Sequence, residues 1–276
     1  MNNDDLERLI LDTIDIPSLP PIALRVLQLA RKENTSMGEL EATISGDQAF
    51  AARVLRIANS PFYRGQHISS IAAAVSLIGF DAMISLVTGA AMRDLYRKND
   101  PFDSSLWDHS LGVSLAASLL AGETGMAKPE DALAAGLLHD IGKALLNRSI
   151  PGTYADIVEM TGRGGYSFSE AETAVLGYDH CSVGGVVARL WNLPPLLEVV
   201  IERHHTHHFP GFAAETHRDL CAVVAAADAL CLQLGIGPRS TPSSRETGLG
   251  LTKERMREMQ REFSALYNKQ REHLME

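Results

Sequence analysis

Residues 129–146 read PEDALAAGLLHDIGKALL, a helical-looking run with a chemical problem in its middle. Alanine and leucine dominate it, as they dominate most of the chain, and strand-like alternation is scarce. The expected fold class is therefore all-α. Inside the run, Leu137 and Leu138 are followed by His139 and Asp140 side by side. Histidine and aspartate are rarely buried unless something pairs them. Either a hydrogen-bond network satisfies them or a metal ion does. Neighbours on one helix point about 100° apart, so the pair would grip an ion placed in the angle between them. A carboxylate can also bridge two ions through its two oxygens. Gly142 would let another backbone or a ligand come close. Lys143, four residues from His139 and on the same side, could meet a phosphate.

The segments on either side also read as helices. PIALRVLQLARKE, from Pro21, places Ile22, Val26 and Leu29 on one stripe, with Pro21 suited to a helix start. GDQAFAARVLRIANS, from Gly46, offers Asp47 as an N-cap and Phe50, Val54 and Ile57 at helical spacing. A further helix can end at Gly79, with Asp81 capping the next. Residues 1–98 thus form an N-terminal bundle subdomain of about five helices. The polar, proline-bearing stretch NDPFDS, 99–104, marks the boundary. The second unit, 99–235, opens with a long helix capped by Ser104 or Ser105. Capping-box spacings occur later at Ser167/Glu170 and Ser169/Glu172. Residues 236–276 comprise a polar loop, 236–251, with little reason to pack, and an amphipathic helix. Met256, Met259, Phe263, Leu266 and Tyr267 lie on or near one face of that helix, which packs back on its own domain or pairs with another chain.

Within 99–235, His109, His139, Asp140, Lys143, His180, His204, His205 and Asp228 all lie among small apolar residues. Taken singly, a helical histidine in such a place is an ordinary hydrogen-bonded core residue. Asp228, inside VVAAADALCL, is expensive to bury unless paired, protonated or coordinated; a salt bridge to Arg189 would satisfy it. His67, His217 and His273 sit in polar contexts and read as surface residues, and His207 and His208 as loop histidines.

Net charge is −9, which disfavours broad binding to nucleic acid while leaving room for a local phosphate pocket. No apolar run is long enough to span a bilayer, and the acidic first residues lack signal-peptide order, so the expected location is the cytoplasm. Cys181, Cys221 and Cys231 read as buried small residues, without a C-x-x-C pair. Cys221 and Cys231, ten residues apart on one helix, would stand roughly 15 Å from each other, too far for a disulfide.

At the order H…HD…D, here His109, His139-Asp140 and Asp228, the chain resembles the HD superfamily of metal-dependent phosphohydrolases. His180 in DHCSVGG and His204-His205 in ERHHTHH look like the extra ligands of HD-GYP phosphodiesterases. The segments LPPIALRVLQLARKE, LWDHS, AAGLLHDIGKALL and RLWNLPPLLEVVIERHH, in that order, resemble the HDOD family over roughly residues 12–235. The resemblance implies an N-terminal helical subdomain packed on an HD-like one, and a bacterial signalling role. It implies one metal on His109, His139, Asp140 and Asp228, a second sharing Asp140 and taking His180, His204 and His205, and Lys143 on phosphate. The cofactors expected are two divalent transition-metal ions, iron or manganese before zinc or nickel, since imidazole and carboxylate donors without thiolate favour them. Two functions follow: metal-assisted hydrolysis of a phosphorylated or nucleotide substrate, with Asp140 and Lys143 in the catalytic roles, or a non-catalytic sensor or output module that acts on a signalling protein partner. The HD-GYP signature HHExxDGxGYP is absent, which argues against cyclic di-GMP as substrate. Ser105 stands where some HD-GYP members have an acidic ligand, so no third metal is expected.

Overall fold

The computed structural model describes residues 3–30, 32, 35–59, 68–206, 214–240 and 249–274, and all regular structure among them is helical. Six helices come first: α1 (Asn3–Thr13), α2 (Pro21–Ala30), α3 (Met37–Ser45), α4 (Gln48–Ala58), α5 (Ile71–Ile78) and α6 (Phe80–Ala91), followed by a 3-10 turn at Met92–Leu95. α2 begins at Pro21 as expected and buries Val26 and Leu29. α3 starts at a capping box in which Ser36 and Glu39 satisfy each other's backbone amides. Asp47 caps α4 by accepting from the Phe50 amide at 2.9 Å, and Phe50 and Val54 are buried; the Ile57 side chain lies outside the described residues. Asp81 does not cap α6. That helix starts at Phe80, behind the cap position Gly79, so Asp81 falls inside its first turn.

The centre of the molecule is α7 (Pro101–Thr124), which is buried around most of its circumference. A helix apolar on all sides belongs in a core. Its cap is Asp100, which accepts from the Asp103 amide at 2.9 Å, with Pro101 in the first helical position. The cap therefore lies upstream of Ser104 and Ser105, because Pro101 already has the fixed φ a first turn needs. Around α7 come α8 (Pro129–Leu138), α9 (Ile141–Ser149), α10 (Pro151–Gly162), α11 (Phe168–Leu176), α12 (His180–Leu190), α13 (Pro195–Arg203) and α14 (Glu215–Gln233). α7 packs most extensively on α8 and α14. At Gly136 on α8 the two backbones touch: a Cβ there would lie 2.8 Å from the Ser114 Cα and 2.9 Å from the Val113 carbonyl oxygen.

The first six helices pack on this second set. α6 lies against both α2 and α8, and the Trp191 indole donates to the Pro17 carbonyl at 3.2 Å. The last helix, α15 (Lys253–Leu274), buries Met259, Phe263 and Tyr267. It packs back on α7, where the Tyr267 hydroxyl donates to the Asp108 carbonyl at 3.4 Å. Among the described residues no helix is long and apolar enough to cross a membrane.

Candidate metal centre

His139 and Asp140 do not share a helix. α8 ends at Leu138 and α9 begins at Ile141, with Asp140 at φ −100°, ψ 15° between them. The chain bends at the pair, so both side chains turn toward the same interior space. Asp140 holds the N-cap position of α9, where a carboxylate ordinarily accepts from first-turn amides. It makes no such bond. Its oxygens face the histidines instead.

The seven residues expected to ligate metal converge there. On one side, Asp140 Oδ2 lies 3.3 Å from His139 Nε2 and 3.7 Å from His109 Nε2, and His109 Nε2 lies 3.0 Å from Asp228 Oδ1. On the other, Asp140 Oδ1 lies 3.4 Å from His180 Nε2 and 3.5 Å from His204 Nε2. His205 joins the halves, with Nδ1 at 3.9 Å from Asp228 Oδ2 and its ring packed on those of His180 and His204. Three overlapping groups have donor atoms mutually within 4.8 Å: His109, His139 and Asp228; His139, Asp140 and His204; and His180, Cys181, His204 and His205. Asp228 pairs with His109 rather than with Arg189, whose guanidinium is held by Glu198 and Glu202.

Each ring is fixed from behind. His109 Nδ1 donates to the Ile236 carbonyl at 2.9 Å, and His139 Nδ1 to the Gly136 carbonyl at 2.7 Å. His204 Nδ1 lies 3.2 Å from the carbonyls of Val200 and Ile201. A carbonyl can only accept, so Nδ1 carries a proton in each ring and Nε2 faces inward. His180 Nδ1 is held at 2.5 Å by Glu172, which also accepts from the His180 amide at 2.7 Å and from the Tyr154 hydroxyl at 2.7 Å. Four buried atoms of the centre have no hydrogen-bond partner: the Nε2 atoms of His109, His139 and His180, and Asp140 Oδ1. Buried polar atoms are normally satisfied. Four such donor atoms gathered in one cavity fit a cation.

Charge in the cavity is strongly perturbed. Burial works to raise the Asp140 carboxyl, but His139 and the Lys143 ammonium reverse this and hold it well below the usual carboxylate range. Burial likewise opposes ionisation of Asp228, and the neighbouring histidines, His109 foremost, hold it low. His205 is pushed well below the normal imidazole value by burial and by His204 and His180 beside it. Lys143 is buried, with Nζ 2.6 Å from Asp140 Oδ2 and 4.8 Å from the centre of the Phe168 ring. It serves as the counter-ion of Asp140.

Sequence reasoning passes over three contributors. Spacing alone puts Glu172 in a capping box with Ser169; the Ser167/Glu170 box forms, but Ser169 bonds Asp179 and Glu172 turns inward to His180. Cys181 faces His204, at 3.8 Å from Nδ1 and 3.9 Å from Nε2, so the donor set includes a thiol. Ile236 opens the stretch expected to have little reason to pack, yet its carbonyl orients His109. His217 belongs to none of the three groups. His67, His207 and His208, and the His273 side chain, lie outside the described residues.

Comparison with known proteins agrees with this architecture. The HDOD domain family model matches residues 16–207, a span that stops short of Asp228. An uncharacterised protein of Treponema pallidum (strain Nichols) is 27% identical over 216 residues, covering 78% of this chain and 42% of that protein. The chain thus spans about two fifths of the length of this curated relative. The crystal structure of an HDOD domain protein of unknown function from Geobacter sulfurreducens superposes with a TM-score of 0.72 at 28% identity, over 98% of this chain and 95% of that one. A candidate phosphohydrolase from Shewanella amazonensis SB2B shares the fold, with a TM-score of 0.68 at 24% identity over 94% and 88% of the two chains. Matched over most of its length, the chain belongs to the HDOD-domain family.

Proposed function

We propose that this HDOD protein is a bacterial signal-transduction protein that holds two divalent transition-metal ions and acts as a metal-dependent phosphohydrolase on a phosphorylated or nucleotide substrate. The observation that carries this reading is the set of four buried, unpartnered donor atoms on His109, His139, Asp140 and His180. His109, His139, Asp140 and Asp228 would hold one ion, and Asp140, His180, His204 and His205 the other. Asp140 presents a different oxygen to each half, as a carboxylate bridging through both oxygens would. Ions bound there supply Lewis acidity toward a phosphoryl oxygen and acidify water. The chain's own residues do the rest. The backbone carbonyls of Gly136 and Ile236 and the Glu172 carboxylate fix the rings, so that no rotamer search accompanies loading. Lys143 neutralises Asp140, and with a cation held at that carboxylate its ammonium would be free for a phosphate oxygen. His205 is the most exposed of the seven ligand residues, at 28% against 8% or less for the others' side chains, and marks the side from which a substrate would approach.

One observation favours a second reading, a regulatory module whose metal site is structural. Lys143 already has a buried partner, so the residue expected on phosphate is engaged within the fold. Protein loaded with manganese, iron or zinc and assayed on a chromogenic phosphomonoester and phosphodiester distinguishes the two. Turnover that tracks metal content and vanishes in Asp140→Ala supports the hydrolase; full loading without turnover supports the regulatory module. Folded protein that takes up no metal would sink both.

A further inference from the structure

We propose that Cys181 is a thiolate ligand, so that the His180 side of the centre binds a borderline-soft divalent ion through one cysteine and three histidines beside the bridging Asp140. The inference rests on the reading that the centre holds metal and adds to it the sulphur, which the ligand set implied by the family resemblance lacks. The donor atoms of His180, Cys181, His204 and His205 all lie within 4.8 Å of one another. At metal–sulphur and metal–nitrogen distances of about 2.3 and 2.1 Å and a near-tetrahedral angle between the two bonds, sulphur and nitrogen stand roughly 3.6 Å apart. Cys181 Sγ lies 3.8 Å from His204 Nδ1 and 3.9 Å from Nε2, so the thiolate must swing toward the Nε2 side of that ring to complete the site. His180 Nε2 is buried and unpartnered, and the grip of Glu172 on Nδ1 prevents the ring from turning away.

The other two cysteines show what an ordinary buried thiol does in this fold. Cys221 Sγ donates to the Val199 carbonyl at 3.8 Å, and Cys231 Sγ packs where α14 meets α7 at Gly112. Neither is grouped with histidines. Cys181 is equally buried but faces imidazole. On binding, its thiol proton passes to solvent. Thiolate with imidazole selects zinc, cobalt or ferrous ion over manganese and magnesium. The His109 side, built from imidazole and carboxylate alone, has no such bias. The two halves therefore differ in softness, and mixed occupancy by two metals follows.

The test uses the full chain, stripped by chelator and reloaded with cobalt(II) alone. A thiolate-to-cobalt charge-transfer band is expected in the near ultraviolet, retained in Cys221→Ser and Cys231→Ser and lost in Cys181→Ser. Zinc-edge absorption of the zinc-loaded wild-type chain, which needs no variant, should show one sulphur at about 2.3 Å. Bound cobalt with no thiolate band, or zinc with only nitrogen and oxygen neighbours, overturns the Cys181 assignment and leaves the metal-centre reading standing. Folded wild-type protein that binds neither ion overturns both.

Discussion

Gly142→Ala tests whether the centre is set by contact between backbones. A Cβ at residue 142 would collide with the His180 carbonyl oxygen and lie 2.8 Å from its carbonyl carbon and 3.1 Å from the Gly184 amide nitrogen, where ordinary contact begins near 3.4 Å. All three obstacles are main chain, so no side chain can rotate aside. α9 and α12 must separate by more than half an ångström. Overpacking of a tight core costs about 1–3 kcal/mol, and this position belongs at the upper end. The helix propensity gained over glycine returns about 1 kcal/mol. The net loss expected is about 2 kcal/mol, or roughly 3–4 °C in Tm for a chain of this size. The displacement also separates His180, which opens α12, from Asp140, which precedes α9. Metal–ligand distances hold within about 0.2 Å, so the His180 half should lose its ion. Urea unfolding and elemental analysis read both effects. Gly152→Ala is the control, because its added methyl meets nothing within 4 Å. If Gly142→Ala matched wild type in midpoint and metal content, the rigid-contact argument would be wrong.

Asp140→Ala should empty both halves, as measured by elemental analysis; retention of one full equivalent would refute bridging. Glu172→Ala should weaken the His180 half about 10–100-fold in a chelator competition and leave the His109 half alone, whereas equal weakening of both would deny it a selective orienting role. Lys143→Ala strands a buried carboxylate and should cost the metal-free protein about 3–5 kcal/mol. The loaded protein should lose much less, keep its metal and bind inorganic phosphate more weakly. Equal destabilisation with and without metal, or unchanged phosphate affinity, would remove Lys143 from the corresponding role.

Much of the centre is legible in the sequence because its residues break the local pattern. His109, His139, Asp140 and Asp228 stand among alanines and leucines that only a core would accept, and the cost of burying them announces a partner. What the sequence does not disclose follows from local rules losing to tertiary contacts. Ser169 and Glu172 have capping-box spacing, yet Asp179 takes the serine and His180 the glutamate. Cys181 looks like its two buried counterparts, because thiol chemistry depends on neighbours that a linear reading does not show. The Ile236 carbonyl has no side-chain signature at all. Read linearly, His139 and Asp140 fall on one helix, and the bend at Asp140 is what turns both inward. Helix starts shift for a similar reason: Pro101 at the first position of α7 outweighs the serines after it.

The contact at Gly136 has a wider consequence. It presses α8 directly onto α7, and the same residue's carbonyl orients His139. Joints of main chain on main chain have almost no play, unlike interdigitated leucines, which can be exchanged for one another and resettle. Drift among the aliphatic residues elsewhere in the interior should therefore change how firmly the molecule stands without altering the spacing between His109 and His139, so the gauge of the cavity is inherited separately from the filling around it.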